Sequence, residues 1–220
     1  MNILYLLLAV YLIPLIAYVL IVHTYKKYNT ENNNKELSGF EIARNILDKH
    51  NLEDMYIIEK RGMFTDTYDS KQNVIRLSTP VFHEESVYSL AVASYLATKS
   101  YLYNKQDKTI KTKIIVDNFI NVLITFIYLL LLVGIIINSL PTYKVVLFLL
   151  ISVIIYNLLT TPIEDKIMQK SLKELKNNKI SDKNIEQIKS IYSIMRINGL
   201  AQMVISLSNL YYTIKEDAKK

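Results

Sequence analysis

The segment AVASYLATKS (91–100) lies inside a helical run from Val87 to about Tyr103. Tyr95, Leu96 and Lys99 stand there at positions i, i+1 and i+4, so Tyr95 and Lys99 share one helix face, their Cβ atoms about 6 Å apart. Helices that hold a catalytic metal use these offsets with His, Glu and His: two imidazoles grip the ion and the carboxylate takes a proton from bound water. Here the same frame carries a phenol, an isobutyl group and an amine. A protonated lysine has no lone pair to give a metal, and a phenol with an ordinary pKa near ~10 is a poor ligand at neutral pH. Leu96 cannot accept a proton at all.

Other chemistries fare no better. His23, His50 and His83 read as solvated or helix-capping residues, because none is spaced to join Tyr95 or Lys99. Ser94 or Ser100 with Lys99 lacks the i, i+4 spacing that a serine–lysine dyad on one helix would need. Asp66 and Asp69 read as turn-formers, and Glu84 and Glu85 as acids suited to the start of a helix. With only 4 glycines and no glycine-rich loop, nucleotide binding is disfavoured. The absence of cysteine excludes disulfides, thiolate zinc sites and thiol catalysis.

The elements that must position these residues alternate between apolar and polar. The 220 residues are 51% hydrophobic, and the apolar ones come in blocks, which points to a membrane protein. The formal charge of +6 comes from lysines flanking those blocks rather than from one basic stripe, so a nucleic-acid partner is not expected. Residues 3–22 carry no charge and match the roughly 20 residues a bilayer crossing needs, with no cleavage site after them. This gives a transmembrane anchor over 1–23. An Asn-rich linker opens residues 24–113, an α+β domain with helices over 39–50 and 87–103, where Phe40, Ala43, Ile46 and Leu47 form the first helix's stripe. MYIIEK and NVIRLS read as strands on either side of a turn-rich segment. A transmembrane hairpin is expected over 114–160, turning at Pro141 and Thr142. A polar helical region over 161–190 and an apolar helix over 191–220, a fourth span if it crosses, complete the chain. Lysine placement puts 24–113 and 160–190 on the cytoplasmic side.

Four segments resemble one bacterial family, the membrane-bound neutral zinc metallopeptidases of the YugP-like group: LSGFEIARNIL (37–47), FTDTYDSKQNVIRLSTPVF (64–82), SVYSLAVAS (86–94) and TTPIEDKIMQKSL (160–172). The resemblance implies a mostly helical α+β membrane protein, with a small zincin-like domain and three or four transmembrane helices. It also implies zinc held by His-Glu-x-x-His after the small-residue run, and by a Glu in a Pro-aliphatic-Glu segment. Those positions fall on Tyr95, Leu96, Lys99 and Glu164, the last preceded by Pro162 and Ile163; the acid usual two residues later is Lys166. Only Glu164 survives, as a vestigial third-ligand position, so no bound cofactor is expected.

The sequence thus predicts a pseudoprotease of the bacterial plasma membrane. Its partners would be the lipid bilayer and a membrane protein or peptide segment. One rival reading is an active metallopeptidase with a non-standard ligand set, and another a purely structural membrane protein. If the family geometry persists, Lys99 should give Glu164 the positive charge of the metal, with the Tyr95 hydroxyl bonded nearby.

Overall fold

Side-chain caps set most of the helix boundaries. The computed structural model describes residues 3–197, 199 and 201. Helix α1 spans Ile3–Tyr28 and contains Pro14. Helix α2, Gly39–Lys49, opens with a capping box in which Ser38 accepts from the Glu41 N–H and the Glu41 carboxylate accepts from the Ser38 N–H at 2.7 Å. Its buried stripe is Ile42, Ala43, Ile46 and Leu47. Phe40, expected in that stripe, is half-buried and packs on Phe82 at 5.0 Å between ring centroids.

The Asn-rich stretch between α1 and α2 is pinned rather than a loose linker. The buried Asn33 amide donates to the carbonyls of Leu37 (2.8 Å) and Glu85 (2.7 Å) and accepts from the N–H groups of Lys35 and Leu37. Asparagine can satisfy backbone donors and acceptors at once, so a polar run need not be a mobile one.

Three strands form one sheet: β1 (Tyr56–Lys60), β2 (Thr67–Asp69) and β3 (Val74–Ser78), in the order β1-β3-β2. β1 is parallel to β3, and β2 antiparallel to it. Strand β2 lies in the segment expected to be a turn; buried Tyr68, opposite Ile75, is the apolar contact that makes it a strand. Asp69 closes the β2–β3 hairpin by accepting from the N–H groups of Lys71 and Gln72, as a turn-former does.

A short helix, α3 (Thr79–His83), leads into α4 (Val87–Asn104), whose first turn is capped by Ser86 accepting from the Ser89 N–H at 3.0 Å. Apart from Lys99, Tyr103 and Asn104, every residue of α4 is buried, so it is the central helix of the domain. Helix α2 fits against α3 and α4 because Gly39 has no side chain: a β-carbon there would lie 2.0 Å from the Val81 carbonyl oxygen of α3 and 3.2 Å from the Ala93 β-carbon of α4.

Helix α5 spans Lys108–Ile137 and α6 spans Leu140–Asn177. The turn between them is Asn138, at φ 48° and ψ 47°, followed by Ser139 as N-cap; Pro141, expected in the turn, lies in the first turn of α6. α6 continues through Pro162, so the returning apolar segment and the polar segment after it form one helix. Both α5 and α6 are long and apolar enough to cross a membrane, and their apolar side chains face outward, Phe148 at 70% and Leu159 at 73% exposure. Helix α7, Asp182–Met195, starts at Ser181, which accepts from the Asn184 N–H. The apolar run expected over 194–214 lies mostly outside the described residues.

The main core joins α2, β3 and α4 to Ile110 and Ile114 of α5, Ile167, Met168 and Leu175 of α6, and Ile185, Ile188, Ile191 and Tyr192 of α7. Ile124, Ile127, Tyr143, Val146, Leu150 and Val153 form a separate cluster between α5 and α6. The architecture is therefore mostly helical α+β, with α4 held against the first turns of α5 and the C-terminal part of α6.

Candidate functional site

Three helices bring charged and hydroxyl groups to one cavity of about 200 Å³. α4 contributes Tyr95, Leu96 and Lys99, α5 contributes Lys113 and Asp117, and α6 contributes Tyr156 and Glu164; Asp66 and β2 close another side. Tyr95/Lys99 and Lys113/Asp117 are both i, i+4 pairs, so each helix turns two polar side chains to the same face.

Glu164 has both oxygens engaged. Lys113 Nζ lies 2.6 Å from Oε1, and the Tyr95 hydroxyl donates to Oε2. The same Lys113 ammonium, with a side chain only 5% exposed, lies 2.6 Å from Asp117 Oδ2. Tyr156 donates to Asp117 Oδ1 at 2.8 Å. Lys99 Nζ is 3.7 Å from Asp117 Oδ2 and 5.8 Å from the centroid of the Tyr95 ring. Two ammonium groups thus face two carboxylates, and the cluster is balanced from within.

The sequence pointed to Tyr95 beside Glu164, and the two do touch. It also pointed to Lys99 as the counter-charge of Glu164. The contact ion pair is made by Lys113 instead, while Lys99 sits against Asp117 and its charge still reaches Glu164. Lys113 sits deeper, its side chain 5% exposed against 16% for Lys99. Lys113, Asp117 and Tyr156 were the residues missed. Their signal was charge beside an apolar run, an i, i+4 Lys–Asp pair where a bilayer-sized segment begins. Leu96 is buried and forms an apolar wall. Lys166 is turned elsewhere, paired with Asp107 at 2.6 Å.

Asp66 behaves differently from its expected turn role. Its Oδ1 accepts from the Ser78 N–H (2.7 Å) and the Ser78 hydroxyl (2.9 Å), a contact across twelve residues of chain. Burial pushes its carboxyl up to about 6, against which the two Ser78 hydrogen bonds pull down. Tyr95 is raised well above the ordinary tyrosine value, chiefly by burial and next by the charge of Glu164, so it stays a neutral donor.

None of the three histidines lines the cavity. His50 caps α2, stacks on Tyr101 at 3.8 Å and sits 3.1 Å from Glu174; His83 lies 3.2 Å from Glu59; His23 is exposed on α1.

A family model described as "Putative neutral zinc metallopeptidase" matches residues 3–216. The chain belongs to that family. Among the relatives of this metallopeptidase family member is "Putative membrane protease YugP" of Bacillus subtilis (strain 168), 25% identical over 187 residues, which cover 84% of this chain and 83% of the relative. No solved structure matches.

Zinc, implied by the family, can be tested against the side chains around Glu164. A catalytic zinc site takes three nitrogen, sulfur or carboxylate donors and leaves a position open. Around Glu164, whose oxygens already bind Lys113 and Tyr95, this site offers a protonated phenol, a leucine, two ammonium groups and one further carboxylate, Asp117, itself taken up by Lys113, Lys99 and Tyr156. Among the described residues no three His, Cys, Asp or Glu side chains gather where an ion could be held. The residues do not fit the metal.

Proposed function

We propose that this member of the zinc metallopeptidase family is a pseudoprotease, a membrane protein that keeps the groove of a peptidase and uses it to bind rather than to hydrolyse. The observation that supports this best is Lys113 at 2.6 Å from Glu164, an ammonium standing against the carboxylate that would otherwise face a metal. With Tyr95, Leu96 and Lys99 in the His-Glu-x-x-His frame, neither ion-holding imidazoles nor a general base remains. The sheet with α4 forms a small zincin-like domain. α1, α5 and α6 cross the plasma membrane, and the lysine-rich segments put that domain in the cytoplasm. The bound partner is a membrane protein or peptide segment that reaches the cavity at the inner ends of α5 and α6.

The test is cleavage of casein by the detergent-purified chain with and without EDTA. No chelator-sensitive cleavage is expected. Zinc-dependent hydrolysis would favour an active peptidase with an unusual ligand set. A second arm uses the combined variant Tyr95→His/Leu96→Glu/Lys99→His. It should gain zinc binding more strongly once Lys113→Met also frees Glu164.

A further inference from the structure

We propose that the wall formed by Asp66, Tyr95 and Leu96 is a subsite for an organic ammonium group, the α-amine of a polypeptide or the amine of a lysine side chain. The proposal rests on the reading above, a groove that holds a polypeptide without cutting it.

Asp66 is a carboxylate with no cation in contact, and Lys60 acts on it only from a distance. Its partner is the neutral Ser78, through its N–H and its hydroxyl, and among the described residues no ion pair within 4.0 Å involves Asp66. A half-buried charge whose contacts are all neutral donors leaves part of its field uncompensated, and that field points into the space that adjoins it. The cations lining the same cavity are engaged elsewhere: Lys113 by Glu164 and Asp117, Lys99 by Asp117, and Arg196 by Asp165 at 2.6 Å.

The space beside Asp66 has the shape and chemistry of an amine pocket. Asp66, Tyr95 and Leu96 line both the cavity of about 200 Å³ and an adjoining one of about 60 Å³, room for roughly four waters. Phe64, Tyr88 and Tyr95 supply aromatic surface to the smaller cavity, and an ammonium within about 6 Å of such a ring face is attracted by it. Ile21, Val92, Leu96 and Met195 form the rest of its wall and suit an aliphatic stem. One carboxylate among aromatic and aliphatic side chains is too few donors for a metal ion, but it matches an ammonium on a carbon chain.

Calorimetric titration of the full chain in detergent tests this with three peptides: Ala-Leu-Ala amide with a free amine, Nα-acetyl-Ala-Lys-Ala amide, and Nα-acetyl-Ala-Leu-Ala amide. At least one of the first two should bind tenfold or more tightly than the uncharged third, and the one that does identifies the source of the amine. Asp66→Asn should abolish the preference. Leu96→Lys, which places an internal ammonium on the same wall, should abolish it too and covers the case in which Asp66→Asn does not fold. Equal binding of all three peptides, no binding of any, or a preference that survives both variants would overturn the subsite. Mass spectrometry of the recovered peptides separates the two proposals. Cleaved peptide contradicts the pseudoprotease and leaves an ammonium preference standing, whereas intact peptide bound without preference removes the subsite alone.

Discussion

Glu164 and Asp66 are carboxylates on the wall of one cavity, and they are neutralised in opposite ways. Glu164 is enclosed by a lysine ammonium and a tyrosine hydroxyl, with Lys99 close by on Asp117. Asp66 is in contact with a serine and, among the described residues, with no cation. The difference teaches what each can still do. A carboxylate with a built-in counter-ion is finished as a ligand, because any incoming cation must first displace Lys113. One held by neutral donors keeps a field that an outside group can answer.

Removing the counter-ion of Glu164 should have the largest effect. Lys113→Met leaves Glu164 buried beside Asp117 with its cation gone, and should destabilise the chain by about 3–5 kcal/mol, read as a lower melting temperature in detergent. Lys113→Met/Glu164→Gln should recover part of the loss; a double variant no better than the single one would break the pairing.

The matching change at Asp66 should act with the opposite sign. Its folded carboxyl, at about 6, is raised above the unfolded value of 3.8, so the ionised form costs stability that the protonated form does not. That cost is absent below about pH 4, grows between there and about pH 6, and is complete above, at up to about 3 kcal/mol. Asp66→Asn should therefore melt higher than the parent near pH 7.5, with the gap closing toward pH 4. A variant that melts lower at both pH values would show the Ser78 contact to outweigh the burial.

Tyr95→Phe removes a hydrogen bond to a charged acceptor and should cost about 1.5–3 kcal/mol. Lys99→Met should cost least, under about 1 kcal/mol, because its contact is long at 3.7 Å and Asp117 keeps Lys113 and Tyr156. A Lys99 variant as damaging as the Lys113 one would mean that the two cations had been ranked wrongly.

Much of the architecture could be read from local signals. A hydroxyl before an apolar-periodic run caps free N–H groups, and Ser38, Ser86 and Ser181 each do so here. Tyr95 meeting Glu164 followed from the resemblance, since the two positions would share one ion. What escaped depended on distant contacts. Strand β2 rests on Tyr68 packing in a core assembled from the whole domain, and the Asn33 network rests on Glu85, fifty-two residues away. Lys113 read as a flanking lysine because its partners lie on two helices, and Asp66 as a turn residue because Ser78 stands across the sheet. Charge pattern marks where a lysine is placed along the chain, but the fold decides which carboxylate it answers.

The most direct test of the account is the zinc content of the freshly purified, detergent-solubilised chain by elemental mass spectrometry. An ammonium on the family's third-ligand glutamate predicts far less than one zinc per chain, unchanged by EDTA treatment. One zinc per chain, removed by EDTA and absent from a Glu164→Gln variant, would contradict it.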